Sequence, residues 1–393
     1  MDGFEEAKYF CRLLSDRGFP TMLAGGCVRD RLMGRPPKDY DLATTATPAE
    51  VAVFFRDQGY KTLPTGIDHG TLTLVTPFQA IEITTLRRDI TCHGRHAQVA
   101  FTTDFGQDAQ RRDFTINALF EDANGRIHDF TGGLTDLRAK RLRFVGDPAA
   151  RIREDYLRSL RYFRFLARYG WAPENEPLQA IRHHLSGMAV LSSERIRAEM
   201  DAILQSPHLG SVWPVMVKTG VPEILFPWYQ TTATPLVVNA ARGSTNPELP
   251  LAWFPLLWFG RAPRTNKALK RELTRLRFSR RHQRTLVRLF RLAATFPGSP
   301  ASLEAGLDLV EKGDLQPLPA REFFLALARS TGMQVPPTVL QLLTGMTQLP
   351  RPTIAKEDIL KLPPQERGSA IRRNKIKWYL GKCRDTKQPQ VLA

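Results

Sequence analysis

The stretch LAGGCVRDRLMGRPPKDYDLAT, residues 23–44, decides the fold class and indicates the chemistry. It opens as a short apolar strand that enters Gly25-Gly26, and a helix is predicted to begin at about Cys27. Glycines at such a turn let backbone N–H groups approach a phosphate, and a helix N-terminus favours negative charge. Arg29, on the first helical turn, adds a fork of donors. A bare Gly-Gly pair is more often a simple tight turn, so this interpretation depends on the residues that follow.

Two carboxylates follow at a spacing of two residues. Asp39 and Asp41 lie on a strand predicted over residues 39–42, so both side chains leave the same face. Carboxylates this close repel each other and need a cation to remain ionised together. Oxygen ligands in this number suit Mg²⁺, which completes its octahedron with water and substrate phosphates. The sequence therefore predicts catalytic and metal-binding roles for both residues. A solvated aspartate pair is the alternative, and the upstream Gly-Gly turn makes it the weaker one.

Glu82 is a further candidate catalytic carboxylate. Residues 70–76 and 80–86 are β-branched runs on either side of Pro77, and they predict a hairpin. Glu82 lies on the second of these strands, with apolar residues at the alternate positions. The pattern fits either a third carboxylate near the metals or an acid on the strand surface.

The segment RRDFTINAL, residues 111–119, is the second candidate phosphate site. Arg112 stands next to Asp113 ahead of a helical pattern, which predicts a phosphate-binding arginine held by a neighbouring acid. An ordinary helix start with an acid in its first turn explains Asp113, but it does not explain the double arginine.

The segment RIREDYLRSLRYFRF, residues 151–165, belongs to one helix predicted over residues 151–169. At about 100° per residue, one arc of this helix is apolar and packs inward. Its members are Tyr156, Leu157, Leu160, Phe163 and Ala167. Asp155, Arg158 and Arg161 share a second arc, with Arg164 at its border. This arc is either a ladder of i,i+3 ion pairs or a base-reading pair followed by phosphate-holding arginines.

The donor and acceptor chemistry of the second arc predicts a selection rule. An ionised Asp155 only accepts hydrogen bonds, whereas Arg158 only donates them. Cytosine and adenine present an exocyclic amine as donor, while uracil and guanine present a carbonyl oxygen at that place. Such a pair accepts C and A and rejects U and G, because a buried mismatch leaves polar groups unsatisfied.

Composition and charge restrict the class of partner. The chain has 393 residues, of which 42% are hydrophobic and 24% charged, so it is globular and long enough for at least two domains. Fifty-six Lys and Arg against 39 Asp and Glu give a net charge of +17, which favours a polyanionic partner. Two basic clusters, residues 261–291 and 372–384, suggest contact with an RNA backbone, although charged runs are usually solvated helix faces.

No apolar run is long enough to span a bilayer, since the best, residues 249–259, is short and contains two prolines. The N-terminus lacks the pattern of a signal peptide. Four scattered cysteines without a CxxC pair predict reduced thiols, no zinc site and a cytoplasmic location.

The order of patterns predicts an α+β class. A helix over residues 3–17 precedes a region of strands and turns that extends to about residue 145, and helical patterns follow from there. We therefore predict a catalytic head over residues 1–145. An all-helical remainder follows, divided into residues 146–210 and residues 211–393.

The motifs above, in this order, resemble the class II tRNA nucleotidyltransferase and poly(A) polymerase family. The segments PTGIDHGTLTLV (64–75), EITTLRRD (82–89) and RFVGDP (143–148) add to the match, which covers residues 23–166 almost without a gap. The resemblance implies a polymerase-beta-like nucleotidyltransferase head with a small mixed sheet, followed by a helical neck, body and tail. It implies Mg²⁺-dependent, template-independent transfer of nucleotides from CTP and ATP to the 3′ end of tRNA, most like a bacterial CCA-adding enzyme.

The resemblance also implies roles for single positions. Asp39 and Asp41 would hold Mg²⁺, with Glu82 as the further catalytic candidate. The nucleotide-binding positions would be Gly25, Gly26, Arg29, Arg112, Asp113, Asn117, Asp155, Arg158, Arg161 and Arg164. Residues 146–210 would read the base, and residues 211–393 would hold the tRNA.

Residues 88–97 occupy the place of the family's flexible loop, which helps to reshape the pocket from C to A. Asp89 and Arg95 are present in it, and His93 stands where many relatives have an acid. A complete loop makes an enzyme that adds only C less consistent with the sequence.

Three alternatives stay open at this stage. A bacterial poly(A) polymerase or a partial, CC- or A-adding enzyme belongs to the same family, and the basic charge points mildly to the former. A non-catalytic RNA-binding protein is a different class, but it has no need of a paired-carboxylate metal site. The oligomeric state is left open, and no membrane partner is expected.

Overall fold

The computed structural model describes residues 2–93, 96–234, 252–253, 256–257, 261–263, 265–294, 341–342 and 362–385. They fall into two units. The first consists of Met1–Leu166 and Trp171–Ala189, and the second of Ala167–Gly170 and the described part of Val190–Ala393. The predicted domain limits at residues 145 and 210 stay predictions.

A seven-stranded mixed sheet forms the centre of the first unit, in the order β3-β4-β5-β2-β1-β8-β9. Its strands are β1 (Thr21–Ala24), β2 (Tyr40–Thr44), β3 (Lys61–Gly66), β4 (Thr71–Val75), β5 (Ala80–Thr85), β8 (Leu119–Glu121) and β9 (Ile127–Asp129). β2 and β5 pair in parallel, and the other pairs of the sheet are antiparallel. A separate hairpin joins β6 (Arg87–His93) to β7 (His96–Phe101).

Helices accompany the sheet in the first unit and are the main elements described in the second. In the first half they are α1 (Gly3–Asp16), α2 (Gly26–Leu32), α3 (Pro48–Asp57), α4 (Phe105–Gln110), α5 (Gly133–Arg138), α6 (Pro148–Glu154), α7 (Leu157–Tyr169) and α8 (Asn175–His183). The later ones are α9 (Ser193–Leu204), α10 (Leu209–Thr219), α11 (Val221–Leu225), α12 (Asn266–Arg275), α13 (Arg280–Ala294) and α14 (Pro364–Asp385). The predicted α+β class, a mixed sheet followed by helices, is confirmed.

The core of the head lies between the sheet and helices α1 and α3. Phe10 of α1 and Phe55 of α3 pack edge to face, with ring centroids 5.7 Å apart, and both are buried with Leu42 of β2. α3 begins at Pro48 because Thr47 and Glu50 form a capping box at its first turn. This core fixes β2, and therefore the position of the predicted metal ligands.

The prediction of one continuous helix over residues 151–169 is wrong, because the structure has two helices there. α6 ends at Glu154, and α7 begins at Leu157. Asp155 between them has extended backbone angles, φ −153° and ψ 105°. Its carboxylate accepts the backbone N–H of Leu157 at 3.1 Å, so a side chain competes with the helical ladder at this point. The inward arc is otherwise confirmed, since four of its five members are buried and Tyr156 is half-buried.

Several short strands and helices of the head were not predicted from the sequence. β3, β8, β9 and α4 have three to six residues each, too few to establish a period in the sequence. None of the described helices has both the length and the apolar character needed to cross a membrane.

Candidate active site and nucleotide cleft

Two of the predicted catalytic carboxylates are neighbours on adjacent strands. Asp41 of β2 is the register partner of Glu82 of β5, so the two side chains leave the same face of the sheet. Asp39 directly precedes β2 and is exposed. Burial raises the pKa of Asp41 to about 6, and the charges of Glu82 and Asp39 add to the rise while Arg112 opposes it. Glu82, which the sequence left undecided, therefore lies beside Asp41.

The donor set at this place fits a hard divalent cation. All three candidate groups are carboxylates, and the mutual repulsion of Asp41 and Glu82 is the effect that a cation relieves. In the described part of the chain no three His, Cys, Asp or Glu side chains gather into a metal cage. Mg²⁺ does not require one, because it uses one or two carboxylates together with water and substrate phosphates.

A cleft of about 270 Å³ opens at these carboxylates. Its charged lining consists of Asp41, Glu82, Arg87, Asp108, Arg111 and Arg112. Carboxylates and guanidinium groups therefore meet in one cavity, which is the arrangement that a metal-bound triphosphate requires.

The Gly-Gly turn has the predicted strand-turn-helix form. β1 ends at Ala24, and α2 begins at Gly26. Gly25 has φ +73°, and a Cβ atom there would lie 2.7 Å from Nη1 of Arg112. Its N–H donates to the carbonyl of Leu119 at 2.9 Å, so this N–H is already used within the protein. The structure thus explains Gly25 by its backbone conformation and by the close approach of Arg112.

The arginine pair is held by a residue that the sequence analysis missed. Arg112 was predicted to be held by Asp113, and this is wrong: Nε and Nη2 of Arg112 donate to Oδ2 of Asp108 at 3.1 and 3.0 Å. Asp108 lies on α4 one helical turn earlier, so its side chain reaches both arginines. Burial opposes its ionisation, but Arg112 and Arg111 outweigh this and lower the pKa of Asp108.

Asp113 instead pairs with Arg161 of α7. Oδ2 of Asp113 accepts from Nε of Arg161 at 2.7 Å, and Oδ1 accepts from the Asn117 side chain at 2.9 Å. Burial by itself raises the pKa of Asp113, but Arg161 and the hydrogen bonds from Asn117 and Phe114 lower it to about 2. Asp113 is therefore an anchor between two predicted nucleotide-binding residues.

Arg29 continues this network. Its side chain is buried, pairs with Asp30 at 2.7 Å and donates to Oδ1 of Asn117. Its guanidinium carbon lies 5.1 Å from the ring centroid of Phe165. Asn117 thus connects Arg29 with Asp113, and a chain of hydrogen bonds links α2 to α7 through residues that the sequence had predicted separately.

Asp155 and Arg158 form the predicted base-reading pair, but within the described part of the chain the Arg158 side chain bonds other residues. Nη1 of Arg158 donates to Glu154 at 2.5 Å and to the carbonyl of Arg151 at 2.9 Å. Asp155 caps α7, as described above. The i,i+4 ion pair of Glu154 and Arg158 differs from the i,i+3 ladder that the sequence left open, and base reading by Asp155 and Arg158 stays a prediction.

Arg164, the last nucleotide-binding candidate, stacks on Phe165 with its guanidinium carbon 4.9 Å from the ring centroid. The predicted flexible loop corresponds to the β6–β7 hairpin. Arg95 lies outside the described residues, as do the side chains of Asp89 and His93, so these predictions are not tested.

Sheet, turn and carboxylates together define a nucleotidyltransferase head. Residues 21–143 match the model of the "Poly A polymerase head domain", and residues 170–231 match that of the "Probable RNA and SrmB- binding site of polymerase A". The resemblance that the sequence predicted is therefore found in two parts of the chain, the head domain over residues 21–143 and the RNA-binding region over residues 170–231 of the poly(A) polymerase family.

Two curated relatives illustrate the similarity. The chain is 44% identical over 209 residues to the mitochondrial CCA tRNA nucleotidyltransferase 1 of Danio rerio, which covers 52% of this chain and 48% of the relative. It is 36% identical over 215 residues to the CCA-adding enzyme of Staphylococcus epidermidis, covering 54% and 53%. The aligned part spans about half the length of these relatives.

Solved structures extend the likeness over the whole chain. The Bacillus stearothermophilus CCA-adding enzyme in complex with CTP superposes with a TM-score of 0.75 at 25% identity, covering 98% of this chain and 99% of the other. The Thermotoga maritima CCA-adding enzyme complexed with tRNA superposes with a TM-score of 0.68 at 18% identity, covering 99% and 94%, which supports the fold alone.

Proposed function

We propose that this protein is a template-independent RNA nucleotidyltransferase that adds C, C and A to the 3′ end of tRNA from CTP and ATP and releases pyrophosphate. The observation that carries the proposal is the pairing of Asp41 with Glu82 in a cleft that also contains Arg112. The relatives named as CCA-adding enzymes support the choice of reaction.

In this mechanism Asp39 and Asp41 bind Mg²⁺, with Glu82 beside them. The ion, when bound, makes the attacking 3′-hydroxyl more acidic and stabilises the pyrophosphate leaving group. Arg111 and Arg112 line the same cleft as Asp41 and Glu82 and attract the negatively charged triphosphate. Binding a substrate between cations and carboxylates orients it for in-line attack, which is the main source of rate acceleration in phosphoryl transfer.

The base is selected by Asp155 and Arg158 in the proposed reaction. Asp155 accepts from the exocyclic amine of C or A, and Arg158 donates to a ring acceptor. Glu154 holds Arg158, and the helix break places Asp155 outside the hydrogen-bonding ladder of α6.

RNA binding is assigned to the basic helices of the second unit. α12 and α13 bury Leu269, Leu273 and Leu286, while their basic residues, such as Lys270 and Arg284, are exposed. Such a surface contacts phosphates without reading sequence, and it makes binding strongly dependent on salt. In the second basic cluster Tyr379 is buried against Leu342, so it belongs to a core and not to a stacking surface.

Poly(A) synthesis is the second candidate, and the net charge of +17 favours it. One experiment separates the two. A tRNA that ends at its discriminator base is incubated with CTP, ATP and Mg²⁺, and the 3′ ends of the products are sequenced. Three added residues in the order C, C, A support the proposal. Long A tails made from ATP alone, on tRNA and unstructured RNA alike, would establish a poly(A) polymerase instead.

A cytoplasmic location is part of the proposal, and its support is the scattered cysteines. Cys11 and Cys27 are buried free thiols, consistent with a reducing compartment. Fractionation of cells that express the tagged full chain tests this, and recovery in an organelle would contradict it.

A further inference from the structure

Asp108 is a buried carboxylate that bonds both arginines of the 111–112 pair. Its side chain is 1% exposed, and Oδ1 accepts from Nε of Arg111 at 2.7 Å while Oδ2 accepts from Arg112. Each carboxylate oxygen therefore accepts from the Nε and Nη2 atoms of one guanidinium group. Charge-assisted hydrogen bonds in this arrangement fix the direction of both side chains as well as their distance.

The same carboxylate reaches the root of the β6–β7 hairpin. Oδ1 of Asp108 accepts the backbone N–H of Arg87, the first residue of β6, at 3.3 Å. The side chain of Arg87 in turn donates to the carbonyl of His69. Asp108 thus lies where the hairpin, the arginine pair and the cleft meet.

Further contacts of Arg112 restrict its guanidinium group to one orientation. Nη1 donates to the carbonyl of Asn117 at 3.2 Å, and the guanidinium carbon lies 4.8 Å from the ring centroid of Phe120. Gly25 supplies the space for Nη1. Asp108 is the anion that holds this arrangement together, and it lines the cleft next to Asp41 and Glu82.

We propose that Asp108 is a positioning residue for nucleotide binding: it holds Arg111 and Arg112 in one orientation toward the triphosphate and ties the root of the β6–β7 hairpin to them. The proposal rests on the proposed nucleotidyl transfer. Asp108 also cancels part of the positive charge of the pair, so its removal has two opposed effects. Loss of orientation weakens nucleotide binding, whereas the gain in net positive charge strengthens it.

The sign of the change in KM therefore tests the proposal. The Asp108→Asn substitution keeps the shape of the side chain and removes its charge. In the full-length protein, with tRNA lacking CCA, we expect the KM for both CTP and ATP to rise about tenfold or more with a much smaller change in kcat. Asp108→Glu restores the charge, and we expect it to recover part of the loss.

Asp104→Asn is the matched control. Asp104 caps the same helix α4 through the N–H groups of Gly106 and Gln107, and it is exposed. Its side chain bonds Gly106 and Gln107 and, among the described residues, shares no hydrogen bond with the arginine pair, so the variant's KM values should equal those of the unchanged protein. Thermal melting of each variant shows whether it is folded at the assay temperature.

A KM for Asp108→Asn that is unchanged or lower overturns the proposal, because Asp108 would then only balance charge. If Asp108→Asn does not fold, Asp108→Glu decides instead. It keeps the charge and moves the carboxylate by one methylene, so an unchanged KM contradicts positioning and a raised KM supports it. Binding of a fluorescent ATP analogue tests the positioning role of Asp108 independently of whether the protein extends tRNA. Failure of the unchanged protein to extend tRNA refutes the function, while weaker analogue binding by Asp108→Asn than by Asp104→Asn still supports positioning.

Discussion

Asp41 and Glu82 stand opposite each other on the parallel strands β2 and β5, although their positions are far apart in the sequence. The crossover between these strands, through α3, β3 and β4, brings two acids to one face of the sheet. The two like charges on neighbouring strands repel each other and raise the free energy of the ionised pair. A bound cation would lower that free energy, so the site favours binding one.

The first prediction concerns these carboxylates. Asp39→Ala or Asp41→Ala should abolish nucleotide transfer, because each removes a proposed cation ligand, and should leave tRNA binding nearly intact. Incorporation of labelled CTP and filter binding of tRNA measure the two properties. Asp16→Ala, an exposed aspartate at the end of α1, is the control. Incorporation near the unchanged rate in the Asp39/Asp41 double variant would refute the assignment.

The second prediction concerns base choice. Asp155→Asn retains a side-chain oxygen for the N–H of Leu157 but adds a donor, so α7 keeps its cap while the strict acceptor is lost. We expect use of UTP and GTP relative to CTP and ATP to rise about tenfold. Asp155→Ala also removes the cap and should cost about 1 kcal/mol of stability in addition. A slower enzyme with unchanged base ratios would mean that Asp155 only caps the helix.

The third prediction concerns acid stability. The pKa of Asp113 is about 2 in the folded protein against an ordinary value of 3.8, so its ionised form stabilises the fold above about pH 4 and this contribution is lost as the pH falls toward 2. Asp113→Asn should lose about 2 kcal/mol at neutral pH and show a shallower decline in unfolding free energy between pH 5 and 2. Denaturant unfolding at several pH values measures it, with exposed Asp57→Asn as the control. Equal slopes for the two variants would contradict the role of the Arg161 pair.

The fourth prediction separates the two glycines. Gly25→Ala meets both a positive φ and Nη1 of Arg112, so it should lower the melting temperature and nucleotide affinity together. At Gly26 a Cβ meets only Arg29 Nη2, at 3.7 Å, an ordinary contact, so Gly26→Ala should fold normally. A raised KM for CTP in Gly26→Ala with an unchanged melting temperature is the result expected if a phosphate approaches the backbone there. An unchanged KM would remove Gly26 from the binding site.

Patterns that extend over many residues, or that depend on residue chemistry alone, predicted the structure well. The strand-turn-helix around Gly25 and the helix over residues 3–17 were found because several neighbouring residues agree in each. The β4–β5 hairpin was found for the same reason. The α+β class followed from the order of these elements, whereas the mixed sheet was implied by the family resemblance.

Long-range pairing could not be predicted from the sequence. Nothing in residues 111–113 indicates that Arg112 bonds Asp108, one helical turn earlier, instead of the adjacent Asp113, or that Asp113 pairs with the distant Arg161. The break at Asp155 was missed because the apolar period continues through it. A single side-chain hydrogen bond ends the helix there, and periodicity does not record such a bond.

Because Arg112 occupies the space beside Gly25, the residues tolerated at positions 25 and 112 depend on each other. Any side chain at position 25 displaces the guanidinium, and a smaller residue at position 112 opens a void beside the turn and leaves Asp108 with one partner fewer. In a library that randomises either position alone, we therefore expect almost every variant to lose stability or nucleotide affinity. A smaller residue at position 112 would relieve the contact with a side chain at position 25, but it would not relieve the strain of the positive φ there.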